Sequence, residues 1–177
     1  MRIIAGEWRG RTIKAPSGKQ VRPTADRARE AWMSTLQHDI PDARVVDLCA
    51  GSGALGLEAL SRGAASCDFV DLSEPALRMI RENIATLGAG ERSHVHRADA
   101  LRFVRKPGSA PWDIAFSDPP YHLGIAQRLA EAWLAAPFSR ILTLEHEIEA
   151  GMPPGGTTRK YGGTGITTWR RAEATEG

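Results

Sequence analysis

One stretch, VVDLCAGSGALG at residues 45–56, constrains the fold more than any other part of the chain. An apolar, strand-like run passes through small residues into a helix-forming segment, and Gly51, Gly53 and Gly56 match the G-x-G-x-x-G spacing. Such glycines turn the backbone sharply, admit a ligand to main-chain atoms and let a helix pack closely on a strand. A turn of this kind belongs at the carboxyl edge of a parallel sheet, and the rest of the chain supplies one. Apolar runs RVVDLC, SCDFVDL, SHVHRA and WDIAFSD alternate with helical patterns from about Gly53 to Arg62, from about Glu74 to Leu87, near Leu101 and from about Ile125 to Ala135. ILTLEHE follows, and TTRKYGGTGITTWRR reads as two strands about a glycine turn. Before the series, Ala28, Ala31, Trp32, Thr35 and Leu36 recur at helical spacing to about His38, and RIIAGEWRGRTIKAP predicts a small hairpin. The expected architecture is α/β: a Rossmann-like, seven-stranded sheet wound on both faces, closed by an antiparallel hairpin and preceded by an N-terminal β-hairpin extension.

At 177 residues with 42% hydrophobic side chains, the chain suits one domain and one core. The expected domain spans 1–171, with 1–22 as a basic extension and 172–177 as a frayed tail. The formal charge is only +2, but residues 1–30 hold eight basic against three acidic side chains, leaving the remainder net acidic. Arg9, Arg11, Arg22 and Arg27 are therefore candidates for contacts with a phosphate backbone. Cys49 and Cys67 sit in apolar runs and read as small hydrophobes, which fits a reducing compartment. No secretory leader or membrane span is evident, so a cytoplasmic location is expected; a monomer is the expected state.

Asp71 follows Gly51 by 20 positions and ends the second strand, where a carboxylate can accept from a ribose diol. Asp47 discriminates between ligands: a carboxylate beside the turn repels a pyrophosphate but attracts a ligand carrying an ammonium and a sulfonium. S-adenosylmethionine carries both. Asp99, after the third strand, can accept from the adenine amine or can simply cap the short helix that follows. The expected cofactor site is Asp47, Ala50, Gly51, Ser52, Gly53, Asp71, Leu72, Asp99 and Ala100.

After the fourth strand stand Asp118, Pro119, Pro120 and Tyr121. Consecutive prolines end a central strand and stiffen the backbone. The Asp118 carboxylate and the Pro119 carbonyl can accept the two N–H bonds of an exocyclic amine, and Tyr121 offers a face for the base. Such an amine is a poor nucleophile because its lone pair is delocalised into the ring. Two acceptors pull it toward tetrahedral geometry and aim the lone pair at a methyl group. These four residues are the candidate catalytic set.

With both motifs in view the chain resembles the RsmD family of bacterial methyltransferases. The resemblance rests on Arg2-Ile3-Ile4-Ala5-Gly6 with Trp8-Arg9-Gly10-Arg11, on Arg22-Pro23-Thr24 with Asp26-Arg27 and Arg29-Glu30, on residues 51–62, on Asp118 to Tyr121, and on Tyr161-Gly162 with Thr164. It implies a class I, S-adenosylmethionine-dependent fold, an enzyme acting on the guanine N2 amine in 16S ribosomal RNA or the small ribosomal subunit, and an N-terminal segment lying over the cofactor and holding RNA. The clamp alone leaves adenine N6 and cytosine N4 amines, in DNA or other RNA, open as alternatives. A dinucleotide-dependent oxidoreductase gives Asp47 and the proline segment no role, and a non-catalytic RNA-binding assembly factor would not need Asp118. The five histidines form no H-E-x-x-H and join no cysteine cluster, so no metal is expected. Phosphate-loop and nucleophile-elbow motifs are missing, which leaves nucleotide hydrolysis and esterase chemistry without a starting point.

Overall fold

A computed structural model describes residues 1–16, 23–107 and 111–173; the candidate Arg22 and the last four residues of the expected tail lie outside them. The elements are α1 (Pro23–Thr35), β1 (Arg44–Leu48), α2 (Ala54–Ser61), β2 (Ser66–Asp71), α3 (Glu74–Leu87), β3 (Ser93–Arg97), α4 (Ala100–Val104), β4 (Trp112–Ser117), α5 (Ile125–Ala135), β5 (Ser139–Glu147), β6 (Thr157–Tyr161) and β7 (Thr164–Arg170). They form one seven-stranded sheet of order β3-β2-β1-β4-β5-β7-β6. The first five strands pair in parallel, and β7 runs antiparallel to both β5 and β6.

Local chemistry accounts for the boundaries. Ser73 caps α3 by accepting from the Ala76 N–H at 3.4 Å, a proline follows in the first turn, and Gly88 ends the helix in the left-handed region at φ 67°. The central strands β1, β2, β4 and β5 are apolar on both faces, as parallel strands covered on both sides must be, whereas the edge strands β3 and β6 are largely polar. Val45, Phe69, Ile114, Phe116 and Ile141 face a cluster with α1, α2 and α3. Their neighbours Val46, Val70, Ala115, Leu142 and Leu144 face α4 and α5. Each such side chain removed from water contributes about 1.5–3 kcal/mol. Winding reverses at β1, which has β2 on one side and β4 on the other, so a crevice opens between the carboxyl ends of these strands.

The amino-terminal segment is a hairpin with a single bridge, Arg2↔Thr12, and not a pair of ladders. It is held by its backbone. The Glu58 carboxylate, wholly buried in α2, accepts from Ile4 N–H at 2.8 Å and Ala5 N–H at 3.2 Å, while Ile3, Trp8 and Ile13 enter the core. At Gly6, φ is 87°, and a β-carbon would sit 1.9 Å from the Ser61 carbonyl oxygen. Only glycine permits that approach. Among the described residues no helix is long and apolar enough to cross a membrane.

Candidate active site

The glycine turn divides its labour. Gly51 adopts φ 59°, and a β-carbon there would meet nothing within 4 Å, because the residue faces an open cavity. Gly53 caps α2 at φ 81°. At Gly56 a β-carbon would come within 2.5 Å of the Phe69 ring and 2.7 Å of the Cys67 sulfur, so this glycine sets the closeness of helix to sheet. Asp47 is buried under the turn, with Oδ2 accepting from Gly56 N–H at 3.0 Å. Burial pushes its carboxyl up to about 8; the Gly56 N–H opposes that rise and the charge of Asp71 adds to it. Asp47 thus supports the turn from below and is not part of the cavity wall. Ala50, Ser52 and Gly53 are likewise buried behind it, whereas Gly51, Asp71, Leu72, Asp99 and Ala100 line it.

The cavity encloses about 1020 Å³, within the range of small-molecule sites and at its upper end. Asp71 ties its two sides together: Oδ2 accepts from Gly51 N–H and Oδ1 from Ser73 N–H, both at 2.9 Å. A carboxylate has about four acceptor positions, so this bracing leaves capacity for a diol. Asp99 does cap α4, Oδ2 accepting from Arg102 N–H at 3.0 Å, while also facing the cavity. Val70, Leu72 and Leu101 supply apolar walls. A nucleoside with a cationic amino-acid arm fits this mixture of apolar surface, backbone edge and carboxylates.

Asp118, Pro119, Pro120 and Tyr121 line the same cavity, so the two sequence motifs meet in one space. Register brings them there: Leu48 of β1 pairs with Ser117 of β4, and Ser117 Oγ donates to the Leu48 carbonyl at 2.6 Å. Pro119 is buried and anchors the turn, while Asp118 and Tyr121 stand exposed on either side. Tyr121 donates from its hydroxyl to Glu145 Oε1 at 2.9 Å and lies 3.1 Å from Thr164 Oγ1. Partial burial pushes its phenol up to about 12; Thr164 works against the shift, and the carboxylates of Glu145 and Asp118 reinforce it.

Residues 1–161 match the family described as "Conserved hypothetical protein 95". Ribosomal RNA small subunit methyltransferase D of Escherichia coli (strain K12) is 39% identical over 158 residues, covering 86% of this chain and 78% of its own. The protein of the same name from Haemophilus influenzae is 33% identical over 177 residues, covering 96% and 92%. The chain belongs to the RsmD family. Among solved structures, "Putative methyltransferase yhhF from Escherichia coli" superposes with a TM-score of 0.84 at 33% identity, over 98% of this chain and 99% of that one. A Thermus 16S rRNA N2 methyltransferase in complex with AdoMet and guanosine, 21% identical, shares the fold at a TM-score of 0.66 over 88% of this chain and 45% of that one. The sheet of this RsmD-family chain is that of S-adenosylmethionine-dependent methyltransferases.

The basic residues fare differently from the motifs. The Gly6–Gly10 turn is fastened to the last residue of α2: Glu7 N–H donates to the Ser61 carbonyl at 2.8 Å and Trp8 N–H to Ser61 Oγ at 3.0 Å. Because α2 starts beside the cavity and rises about 12 Å over its eight residues, Arg9 lies toward the opposite edge of the sheet. Arg11 Nη2 donates to the Thr86 carbonyl at 2.6 Å, in the last turn of α3. Trp8 is buried beneath the Arg92 guanidinium, 5.1 Å from its ring centroid. The segment therefore packs along α2 and α3 and does not bring Arg9 and Arg11 to the cavity. Arg27 is exposed on α1. After α1, Asp39 pairs with Arg140 and Arg170 at the amino edge of the sheet, so the first turn of α1 is directed toward the carboxyl edge.

Three charged wall residues escaped the sequence reading: Arg128, Glu145 and Glu147. The two glutamates were open to detection, since alternation within LEHE at a strand's carboxyl end puts both on one face. Cys49 also lines the cavity, in a left-handed conformation at φ 59°, and burial pushes its thiol up to about 12.

Proposed function

We propose that the chain transfers a methyl group from S-adenosylmethionine to the exocyclic N2 amine of a guanine in small-subunit ribosomal RNA. The observation that carries this reading is the meeting of the Gly51 turn, Asp71 and Asp118 to Tyr121 in a single cavity. Relatives named as small-subunit ribosomal RNA methyltransferases support the substrate class.

Bound at Gly51, Asp71 and Asp99, the cofactor would supply an electrophilic methyl on a sulfonium. Asp71, braced by Gly51 and Ser73, would hold the ribose hydroxyls; Asp99 would accept from the adenine amine. The target base would stack on Tyr121 with its amine between the Asp118 carboxylate and the Pro119 carbonyl. Both groups accept hydrogen bonds, so they orient the nitrogen without protonating it. Pro119 and Pro120 fix the spacing, which puts the cost of orientation into folding and spares the reaction. Exposed Arg27, in the half of α1 directed toward the carboxyl edge, would contact backbone phosphate, as would Arg22.

The test incubates the protein with methyl-labelled S-adenosylmethionine and small ribosomal subunits from cells deleted for this gene, then identifies the labelled nucleoside. Label in N2-methylguanosine, absent with Asp118→Ala, is expected. No label on subunits or on their naked RNA would overturn the reading.

A further inference from the structure

We propose that Glu145 selects guanine by accepting a hydrogen bond from the ring N1–H beside the amine to be methylated. This rests on the guanine reading above and names the group that enforces it. Three RNA bases carry an exocyclic amine. Adenine N6 and cytosine N4 each adjoin a bare ring nitrogen on the pairing edge, an acceptor. Guanine N2 adjoins N1–H, a donor. A site that holds the amine at Asp118 and offers a second acceptor next to it therefore fits guanine and leaves the other two bases with opposed lone pairs.

Glu145 stands where that second acceptor is needed. The pairing Ser117↔Leu144 sets the next residues, Asp118 and Glu145, side by side at the carboxyl edge of adjacent strands, which lie about 4.8 Å apart. Both residues line the cavity, and both carboxylates act on the Tyr121 phenol. Tyr121 donates to Glu145 Oε1, whereas Oε2 has no hydrogen bond among the described residues. The phenol thus fixes the carboxylate beside the aromatic platform with an oxygen to spare. The donors His122 and Arg128 also line the cavity, but they belong to the turn beyond Tyr121 and to α5.

The test is competition with methyl transfer to the deletion-strain subunits. Guanosine and 2-aminopurine riboside share the 2-amine, but the latter has a bare nitrogen at N1. Glu145→Gln keeps an acceptor for the Tyr121 hydroxyl and can present its amide N–H to N1. It is expected to raise the guanosine inhibition constant at least about tenfold while leaving that of 2-aminopurine riboside within about twofold. A purely structural role would move both constants together. Parallel shifts, an unchanged guanosine constant, or guanosine that fails to inhibit the wild type would overturn the proposal while the guanine product still stood. Label in another nucleoside, or none, would overturn the guanine reading and this inference with it. A melting-temperature rise with S-adenosylmethionine, equal in wild type and variant, shows that the variant folds and holds cofactor.

Discussion

The carboxyl edge of the sheet and the amino-terminal segment both stand out in the sequence, one for its glycines and prolines and the other for its arginines, yet they are built in opposite ways. At the carboxyl edge, Gly51 and Gly56 meet a left-handed turn and a close helix–sheet approach that other residues would strain, Pro119 and Pro120 restrict the backbone itself, and the side chains around them converge on one cavity. In the amino-terminal segment the fixed parts are uncharged: backbone N–H groups held by Glu58 and Ser61, and Ile3, Trp8 and Ile13 in the core. Its charged heads go wherever the backbone leaves them. A residue whose backbone freedom differs from the rest, wider for glycine and narrower for proline, reports its own location, whereas a long cationic side chain reports only that its head stays in water or finds a partner.

If that contrast is right, the largest catalytic effect and the largest structural effect fall in different regions. Asp118→Ala should lower methyl transfer by about 10³-fold, with the cofactor-induced rise in melting temperature intact, since an exposed turn residue carries chemistry and little stability. Single-turnover rates with labelled cofactor would show it, and a matching loss of thermal stability would count against the assignment. Next comes Glu58→Ala. It removes the buried acceptor for Ile4 and Ala5, breaks the 3.0 Å pair with Arg62 Nε, and takes a carboxylate from Arg29, whose Nε lies 4.0 Å from Glu58 Oε1 and whose guanidinium burial already pushes down in pKa. A loss of about 3 kcal/mol is expected in urea unfolding. Unchanged stability would mean that the segment is not held through this carboxylate.

Asp47 sharpens the comparison from within the turn. Its carboxyl rises from the ordinary 3.8 to about 8 on folding. Between those values the unfolded chain has released the proton that the folded chain retains, so stability falls as pH rises and levels off above about pH 8. The slope approaches 1.4 kcal/mol per pH unit for a full proton. Asp47→Asn should flatten unfolding free energy against pH across this window, and an unaltered slope would place the proton elsewhere. The same residue marks a limit of legibility. Its charge and position beside the turn suggested contact with a cationic ligand, but the register of β1 between β2 and β4 puts it beneath the glycines, bonded to Gly56.

What was legible follows the physics of each signal. The α3 pattern, 74–87, was readable to the residue because Ser73, Pro75 and Gly88 punctuate a strong apolar stripe. Sheet closure by β6 and β7 showed in the Gly162-Gly163 turn. The role of Glu58 was hidden, since glutamate is a common surface residue type and this one matters through a distant partner: Ile4 lies 54 positions away. The reach of the amino-terminal segment was hidden for the same reason.

The smallest expected effect tests the contrast most directly. Arg11 and Arg27 looked equivalent in the sequence, two exposed arginines in a basic stretch. Arg11 satisfies a carbonyl in the last turn of α3, where a cation also meets the negative end of the helix dipole. Arg11→Ala should therefore cost less than about 1 kcal/mol of stability and leave the salt dependence of RNA binding unchanged. Arg27→Ala should leave stability unchanged and reduce the slope of log affinity against log salt by about 0.7–0.9, one phosphate contact. Titrations of small-subunit RNA at several salt concentrations separate the two. Equal slopes for both variants would mean that charge alone, irrespective of which edge of the sheet it occupies, governs RNA binding. The opposite order would move the RNA path onto α2 and α3, away from the carboxyl edge of the sheet.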